Sequence, residues 1–531
     1  MALTHVFITG KLDDIALTLL KSRTDLRISN HPDCSREFIF QNAADINVLV
    51  SRSETDVDKE LIEACPNLRL IARAAVGVGN IDLEYATEKG ILVVNTPGKN
   101  TNSAAELTLG LILAMFRKIP NAQSHMKKGG WDRHLFSGTE LRGKSIGIVG
   151  LGNVGHRVAK FCLGFDMDVY AYDPYISPKV FAKYGVELCT ELEEMIAKVD
   201  VLSLHVPLNQ ETKGMISSEM LMSMKKGSYV VNAARGGIIK EADLLEGLNS
   251  GHLGGVAVDT FQTEPKFNTE LVGHEKVWCT PHIGASTTEA QFAIGQSIAE
   301  QIIKVVDGGV ADHPVNLPEI GVIEKPILKA YSVLAEKLGS LVGQILHFNP
   351  NKVEIHYRGD LADLGNSIVK LSWMKGYAGA VVDSYVSFVN VGQHFAGMGI
   401  EVVEQSEPEF SAYKSALKIK VTGEGKHSLT VGGVVFDDRY LRLTLINDFY
   451  FELEPNGPML LIENKDRPGV VASVGKCLAD HSVNISSFNL SRNKKGGQAM
   501  AVISVDSSLE PQIVKSLRDL NNIDSAKFIA L

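Results

Sequence analysis

The chain contains no apolar run of transmembrane length, no basic run and no paired cysteines, and each absence removes a class of function. Its six cysteines (Cys34, Cys65, Cys162, Cys189, Cys279 and Cys477) stand singly, with no CxxC and no histidine cluster. That disfavours both a disulfide framework and a zinc site, so no metal is expected. A net charge of −9 with no aromatic-rich basic patch argues against a nucleic-acid surface, and no membrane partner is expected. The opening MALTHVFITGK lacks a basic segment followed by a long apolar core, so no secretory signal is expected and the setting reads as reduced and cytoplasmic. An anionic ligand would need arginines gathered locally.

At 531 residues, 45% of them hydrophobic, the chain can bury several cores, which implies three or four domains. The first hundred residues alternate short β-branched runs (HVFIT, NVLVS, LRLIARA, ILVVN) with amphipathic segments such as DKELIEAC. This is the pattern of parallel strands joined by crossover helices. A second α/β unit follows with SIGIV, MDVYAY, DVLSLHV, SYVVNAA, GVAVD and VWCTP, each nearly all apolar as strands covered on both faces must be. Between the two, residues 103–119 (SAAELTLGLILAMFRKI) predict one long apolar helix. HPVNLPEI at 313–320 reads as a boundary. Residues up to about 455 mix helix and strand, and the tail after EPNGP reads βαββαβ, a small separate ferredoxin-like unit.

The segment SIGIVGLGNVGHRVAKF sets Gly150, Gly152 and Gly155 between an apolar strand and a helix, where they permit a tight turn and close approach of a pyrophosphate. The next strand ends in Asp173, placed to accept both ribose hydroxyls, and no arginine follows it, so NAD is preferred over NADP. Ligands of open parallel sheets lie outside the strands' carboxyl ends. In the second unit those ends carry Asp173, His205, Arg235, Asp259 and His282. Singly, each reads as structural, His205 as a core histidine, Arg235 as a surface ion pair and Asp259 as a helix cap; five together imply one site. Hydride transfer from an alcohol needs a base, a carboxylate to orient it and a cation for a substrate carboxylate. His282 as base, Glu264 or Asp259 as its orienter and Arg235 as clamp meet those needs.

With GLGNVG, HVPLNQET, NAARGG, VDTFQTEP and TPHIGAS in that order, the chain resembles the D-2-hydroxyacid dehydrogenase family. SRSETDV, GNID and SAAEL in the first unit extend the likeness, and NKDRPGV with HSVNIS resembles an ACT regulatory domain. The whole arrangement is similar to the long-form D-3-phosphoglycerate dehydrogenases. The resemblance implies two doubly wound parallel-sheet domains, one for substrate (1–98 and 288–316) and one Rossmann domain for NAD (99–287). They are followed by an α+β intervening domain (317–455) and a βαββαβ ACT domain (456–531).

Carried over residue by residue, the resemblance makes Arg235, Glu264 and His282 the catalytic set and moves Asp259 to the cofactor. Asn153, Val154, His205, Pro207 and Ala233 join Gly150, Gly152, Gly155 and Asp173 as NAD contacts. Arg52, Asn80, Asn100 and Arg133 fall on positions that hold carboxylate or phosphate. Three departures stand out: Ala75 for a glycine, Gly79 for an aspartate, and Asn153 where relatives often carry arginine. The implied reaction is oxidation of 3-phospho-D-glycerate to 3-phosphooxypyruvate, the entry to L-serine synthesis. L-serine is the expected effector, bound by Asn464, Asp466 and Asn484 where two ACT domains of a homo-oligomer, dimer or tetramer, pair edge to edge. A glyoxylate or hydroxypyruvate reductase shares the core motifs but usually ends after the NAD domain. A corepressor-like NAD sensor lacks support in the absence of a disordered tail, and a pure amino-acid sensor would not need the catalytic set.

Overall fold

In the computed structural model, residues 3–177, 179, 185–318, 325–364, 366–409 and 412–531 are described. Glu319 and Ile320 of the expected boundary segment lie outside them.

The first sheet is wholly parallel, in the order Leu26–Asn30, Thr4–Ile8, Val48–Ser51, Leu70–Arg73, Leu92–Val94. The second has seven parallel strands: Val277–Cys279, Leu253–Val258, Ser228–Asn232, Val201–Leu204, Ser145–Val149, Asp168–Tyr172 and Glu187–Leu188. The order reverses between Ser145–Val149 and Val201–Leu204, which is where a doubly wound sheet opens its crevice. Leu26–Asn30 and Glu187–Leu188 escaped the sequence pattern because edge strands need only one buried face and these are short and partly polar.

Residues 103–119 do not form one helix. The hinge helix Thr101–Phe116 ends at Arg117, Lys118 turns left-handed at φ 52°, and a second helix, Ile119–Lys127, buries none of its side chains. The hinge helix packs its Ala105, Ile112 and Phe116 into the core under the second sheet. The chain then returns: the helix Thr288–Val306 sets Ile294, Ile298 and Ile302 into the core of the first sheet, among Val6, Ile8 and Val50.

The third unit carries a six-stranded mixed sheet under two helices, Pro326–Ile345 and Ser367–Val381. These cross at glycines: a Cβ on Gly339 would lie 2.2 Å from the Trp373 carbonyl, and one on Gly376 would lie 1.9 Å from that of Glu336. The strands Glu401–Glu407 and Phe449–Leu453 at the sheet's two edges complete what the sequence only partly indicated. The loop before the helix Val391–Met398 docks on the first unit, with Ser387 Oγ donating to Gly90 O (2.8 Å) and Arg69 over the Tyr385 ring (4.1 Å).

The last unit has the expected βαββαβ order with an antiparallel sheet, Ile485–Arg492, Gln498–Val505, Pro458–Lys465, Ile523–Ala530. It is not separate. Alternation along Pro458–Lys465 sends Leu460 and Ile462 to its own helices, while Met459 and Leu461 join Leu334, Leu338 and Tyr331 of the third unit in one core. Val502 and Ile529 lie in that same core.

Candidate active site

Each part of the site stands at a strand's carboxyl end. After Ser145–Val149 the backbone turns at Gly150 (φ 88°), where a Cβ would meet Val206 Cγ1 at 2.7 Å and the His205 carbonyl at 2.8 Å. Gly155 lets the helix Asn153–Gly164 lie against that turn, since its Cβ would fall 2.0 Å from Gly150 O. A Cβ on Gly152, by contrast, would meet nothing within 4 Å. The loop therefore leaves open space at the helix start, the cradle a diphosphate needs. Asp173 is bound into the same turn, accepting from Leu151 N (2.8 Å) and Tyr175 N (3.0 Å), and each of its oxygens keeps a lone pair for a ribose hydroxyl.

His205 closes this floor. Its Nε2 meets Ser203 Oγ at 2.9 Å, and burial pushes its pKa down to about 4, so the ring is neutral at physiological pH. Pro207 shapes the adjoining turn through its carbonyl, which accepts from Thr212 Oγ1 (2.5 Å). Ala233 follows the strand Ser228–Asn232, half-buried beside the same core as Ile146 and Ile148.

The chemical pair lies at the far strand ends. His282 Nδ1 and Glu264 Oε2 are 2.6 Å apart, and Glu264 Oε1 accepts from Phe261 N (2.9 Å). Burial alone would raise the Glu264 pKa, but the His282 hydrogen bond, the Phe261 N–H and the Arg235 charge together hold it below the usual carboxylate value. His282 sits at φ 54°, a left-handed conformation that only a few per cent or so of non-glycine residues adopt. Asp259 accounts for it. This fully buried carboxylate accepts from Thr280 Oγ1 (2.6 Å), Ile283 N (2.8 Å) and Gly284 N (2.9 Å), gripping the loop on both sides of His282. Expected on the cofactor, Asp259 is engaged in this structure by the loop that presents His282. Burial nevertheless raises its pKa.

Arg235 belongs to the same cluster because its loop crosses that of Glu264 at a glycine: a Cβ on Gly236 would overlap Phe261 O at 1.8 Å. Its backbone O accepts from Asn232 Nδ2 (2.9 Å), and its side chain is half-buried. Across the crevice stands an arginine that the sequence reading missed. Arg73 ends the first-sheet strand Leu70–Arg73, is 6% exposed, and donates from Nε to Gly77 O (2.9 Å). Its Nη1 is buried without a partner among the described residues. A Cβ on Gly77 would lie 2.9 Å from Arg235 Nη2, so the two guanidinium groups flank one loop. Burial, with the charges of Arg52 and Arg235, pushes the Arg73 pKa down to about 10. Three arginines thus gather where the sequence demanded local positive charge. The signal for Arg73 is present in the sequence: the rule of polar strand ends, applied to the first sheet as well as the second, returns it.

The other expected substrate residues fare unequally. Arg52 flanks the cluster but donates from Nη1 to Lys11 O and Gln291 Oε1 (both 2.7 Å). Asn80 is turned to the backbone, its Nδ2 donating to Arg52 O (3.1 Å) and Thr55 O (2.5 Å), so it shapes the loop that carries Arg52. Asn100 precedes the hinge helix without capping it through its side chain. Arg133 is not brought to the cluster: it lies on an exposed turn, Arg133–Phe136, beside the exposed Trp131 and Leu135. Gly79 is exposed, and a Cβ there would meet nothing within 4 Å, so its departure from aspartate leaves the loop's path unaltered.

The expected effector trio does not converge within one chain. Asn464 and Asp466 stand at the end of Pro458–Lys465, where Asn464 pairs with Ala499. Asn484 precedes Ile485, which pairs with Val505 at the other end of the same neighbouring strand, about 20 Å away at roughly 3.3 Å per residue. Two strands that pair antiparallel with a common neighbour are parallel to each other, so the end of one stands far from the start of the other. Asp466 accepts from Gly496 N (2.8 Å) and Arg492 Nη1 (3.0 Å), Asn484 donates to Asp506 Oδ2 (2.6 Å), and Asn464 is buried. One edge strand of this sheet, Ile485–Arg492, is met at Ser491 Oγ by Tyr450 N of the third unit (3.1 Å). Among the described residues no side-chain cluster suits a metal ion and no helix is long and apolar enough to cross a membrane.

Comparison with known proteins extends this geometry over the whole chain. Residues 109–284 match the NAD-binding domain of D-isomer specific 2-hydroxyacid dehydrogenases, 327–447 the D-3-phosphoglycerate dehydrogenase intervening domain, and 459–522 the ACT domain. The D-3-phosphoglycerate dehydrogenase of Methanocaldococcus jannaschii is 36% identical over 529 residues, covering 100% of both chains. That of Bacillus subtilis is 37% identical, covering 93% of this chain and 95% of its own. Among solved structures, the TT0316 protein of Thermus thermophilus superposes with a TM-score of 0.55 at 31% identity, over 59% of this chain and 100% of its own. A D-lactate dehydrogenase from Aquifex aeolicus, complexed with NAD and lactic acid, gives 0.53 at 26% identity over 59% of this chain and 100% of its own. With its glycine cradle, its His282–Glu264 pair and a full-length likeness that runs through both C-terminal units, the chain belongs to the D-3-phosphoglycerate dehydrogenase family.

Proposed function

We propose that the protein oxidises 3-phospho-D-glycerate to 3-phosphooxypyruvate with NAD, the first committed step of L-serine synthesis. The observation that carries this reading is the His282–Glu264 pair at 2.6 Å standing with Arg235 beside the buried, partly unpartnered Arg73. NAD, when bound, supplies the acceptor for the hydride leaving C2. His282 takes the hydroxyl proton on Nε2 while Glu264 holds Nδ1–H and stabilises the imidazolium, and the proton then passes to solvent. Arg235 grips the substrate carboxylate, and Arg73 and Arg52 face the phosphate, whose charge matches theirs.

For the cofactor we assign Gly150, Gly152, Asn153, Val154 and Gly155 to the diphosphate and Asp173 to the adenosine ribose, with His205, Pro207 and Ala233 as the wall. Asp173 selects NAD, because a 2′-phosphate would meet its negative charge. Asp259 holds the His282 loop and stands with the cofactor contacts, on the nicotinamide side. In this reading the first sheet and the returning helix form the substrate side of the cleft. The protein works as a homo-oligomer in the cytoplasm, consistent with six free cysteines and the exposed Ile119, Met126, Trp131 and Leu135 around Arg133. L-serine is the effector, held near Asn464 and Asp466 with the Asn484 of a second copy completing the set, since one chain keeps them apart.

Measuring NADH formation with 3-phosphoglycerate, D-lactate and D-glycerate in parallel, with and without L-serine, tests this. Turnover should be fastest with the phosphorylated acid and fall with serine. Equal rates on all three acids would defeat the substrate assignment, and indifference to serine would defeat the effector.

A further inference from the structure

Beside the glycine cradle lies a cleft of about 520 Å³ that none of the assigned contacts explains. Gly98, Lys99, Asn153, His156, Arg157 and Glu289 are among the residues lining it. Asn153 is shared with the cradle, so the cleft opens from the start of the helix Asn153–Gly164 toward the hinge. Arg157 stands four residues after Asn153, on the same helix face, and helical side chains lean toward the N-terminus. Its guanidinium is therefore directed back over the turn where Gly152 leaves open space. Lys99 approaches from the hinge side.

Neither Arg157 nor Lys99 makes a hydrogen bond or ion pair among the described residues, although Glu289 lines the same cleft. Two unengaged cations against one carboxylate leave the cleft net positive. His156 adds no compensating charge: burial and the adjacent positive charges of Arg157 and Lys160 lower its pKa. Asn153, at the mouth of the cradle, is neutral, so the open space at Gly152 has no cation on its own loop. Half-burial of Arg157 in this position removes solvation that an anion would restore.

We propose that Arg157, assisted by Lys99, is the cationic contact for the diphosphate of the bound dinucleotide, supplied from one turn along the helix and from the hinge in place of the glycine loop itself. The proposal rests on the cofactor reading above. It also ties cofactor binding to the hinge, because Lys99 lies two residues before the hinge helix Thr101–Phe116 begins.

The test measures equilibrium binding of NADH, ADP-ribose and adenosine by calorimetry to the full-length protein and to Arg157→Gln, Lys99→Gln and the double variant, with melting temperatures as a check on folding. NADH and ADP-ribose, which carry the diphosphate, should each bind about tenfold more weakly to Arg157→Gln and more weakly still to the double variant, while adenosine is unaffected. The salt dependence of NADH binding should flatten in step. NADH affinity unchanged within about twofold in the double variant would overturn the proposal. So would an equal loss for all three ligands, which marks a structural role, or a rise in KM for 3-phosphoglycerate alone, which assigns the cations to the substrate's phosphate. Wild-type protein that binds no NADH would bring down the cofactor reading first, and this inference with it.

Discussion

The two halves of the molecule join their units in opposite ways. In the N-terminal half each sheet keeps its own cores, Val6, Ile8 and Ile294 in one and Ile146, Ile148 and Ile112 in the other, and the units meet through contacts such as the Arg235 guanidinium against the Gly77 backbone, where a Cβ would lie 2.9 Å from Nη2. In the C-terminal half Leu334 and Tyr331 of one unit and Leu461 and Val502 of the next lie in a single core. Polar junctions of modest area permit relative motion, and a shared apolar core forbids it. A dehydrogenase cleft must admit and release two ligands, so its halves can be hinged. A unit fused to its neighbour through a common core moves with it and passes on any strain imposed on either.

The sharpest test of this contrast is a change that removes chemistry and leaves stability. His282→Ala should lower kcat by about three to four orders of magnitude, toward the upper range for a general base, with NADH affinity and melting temperature close to wild type. A large drop in melting temperature would mean that the cleft is a structural joint after all. The converse change is Leu461→Ala, 6% exposed in the shared core, which should cost about 2–5 kcal/mol in chemical denaturation while the affinity for NADH holds. Loss of stability below about 1 kcal/mol would show that the two C-terminal units are merely touching.

Smaller effects sharpen the picture of the cleft. Arg73→Gln should raise KM for 3-phosphoglycerate about tenfold and that for D-lactate far less, the split expected when one charged hydrogen-bond partner of a phosphate is removed. Equal increases would make Arg73 a scaffold for Gly77. A further effect concerns pH. His205 has a folded pKa of about 4 against an ordinary 6.5, so below pH 6.5 the unfolded chain binds the proton first. Stability should decline as pH falls from 6.5 to about 4 and stop declining on this account below that. Thermal melts of His205→Gln across the same window should be flatter than wild type, and identical slopes would place the ring in solvent.

Much of the molecule was legible because parallel strands buried on both faces announce themselves as apolar runs, and their carboxyl ends mark the crevice. That rule alone returns Asp173, His205, Arg235, Asp259 and His282. It fails for partly polar edge strands such as Glu401–Glu407, where one face and one rim are open to water. It did not foresee that the helix would break at Lys118, because an apolar, helix-favouring run gives no sign of a left-handed residue. Asp259 was legible as a site residue but not in its orientation, since a sequence shows that a carboxylate ends a strand and not which backbone amides it meets. That Asn484 stands apart from Asn464 and Asp466 within one chain was not legible for a topological reason: residues near each other in βαβ order stand at opposite ends of parallel strands.

The shared core has a consequence for how such a chain can be taken apart. A fragment beginning at residue 456 would carry Met459, Leu461, Met500, Val502 and Ile529 as a bare apolar sheet face, and the remainder would expose the matching surface of Pro326–Ile345. Both pieces would be prone to self-association. The last unit is therefore no detachable cassette. A shortened chain keeps both apolar surfaces covered only when the cut falls near residue 318, ahead of the two units.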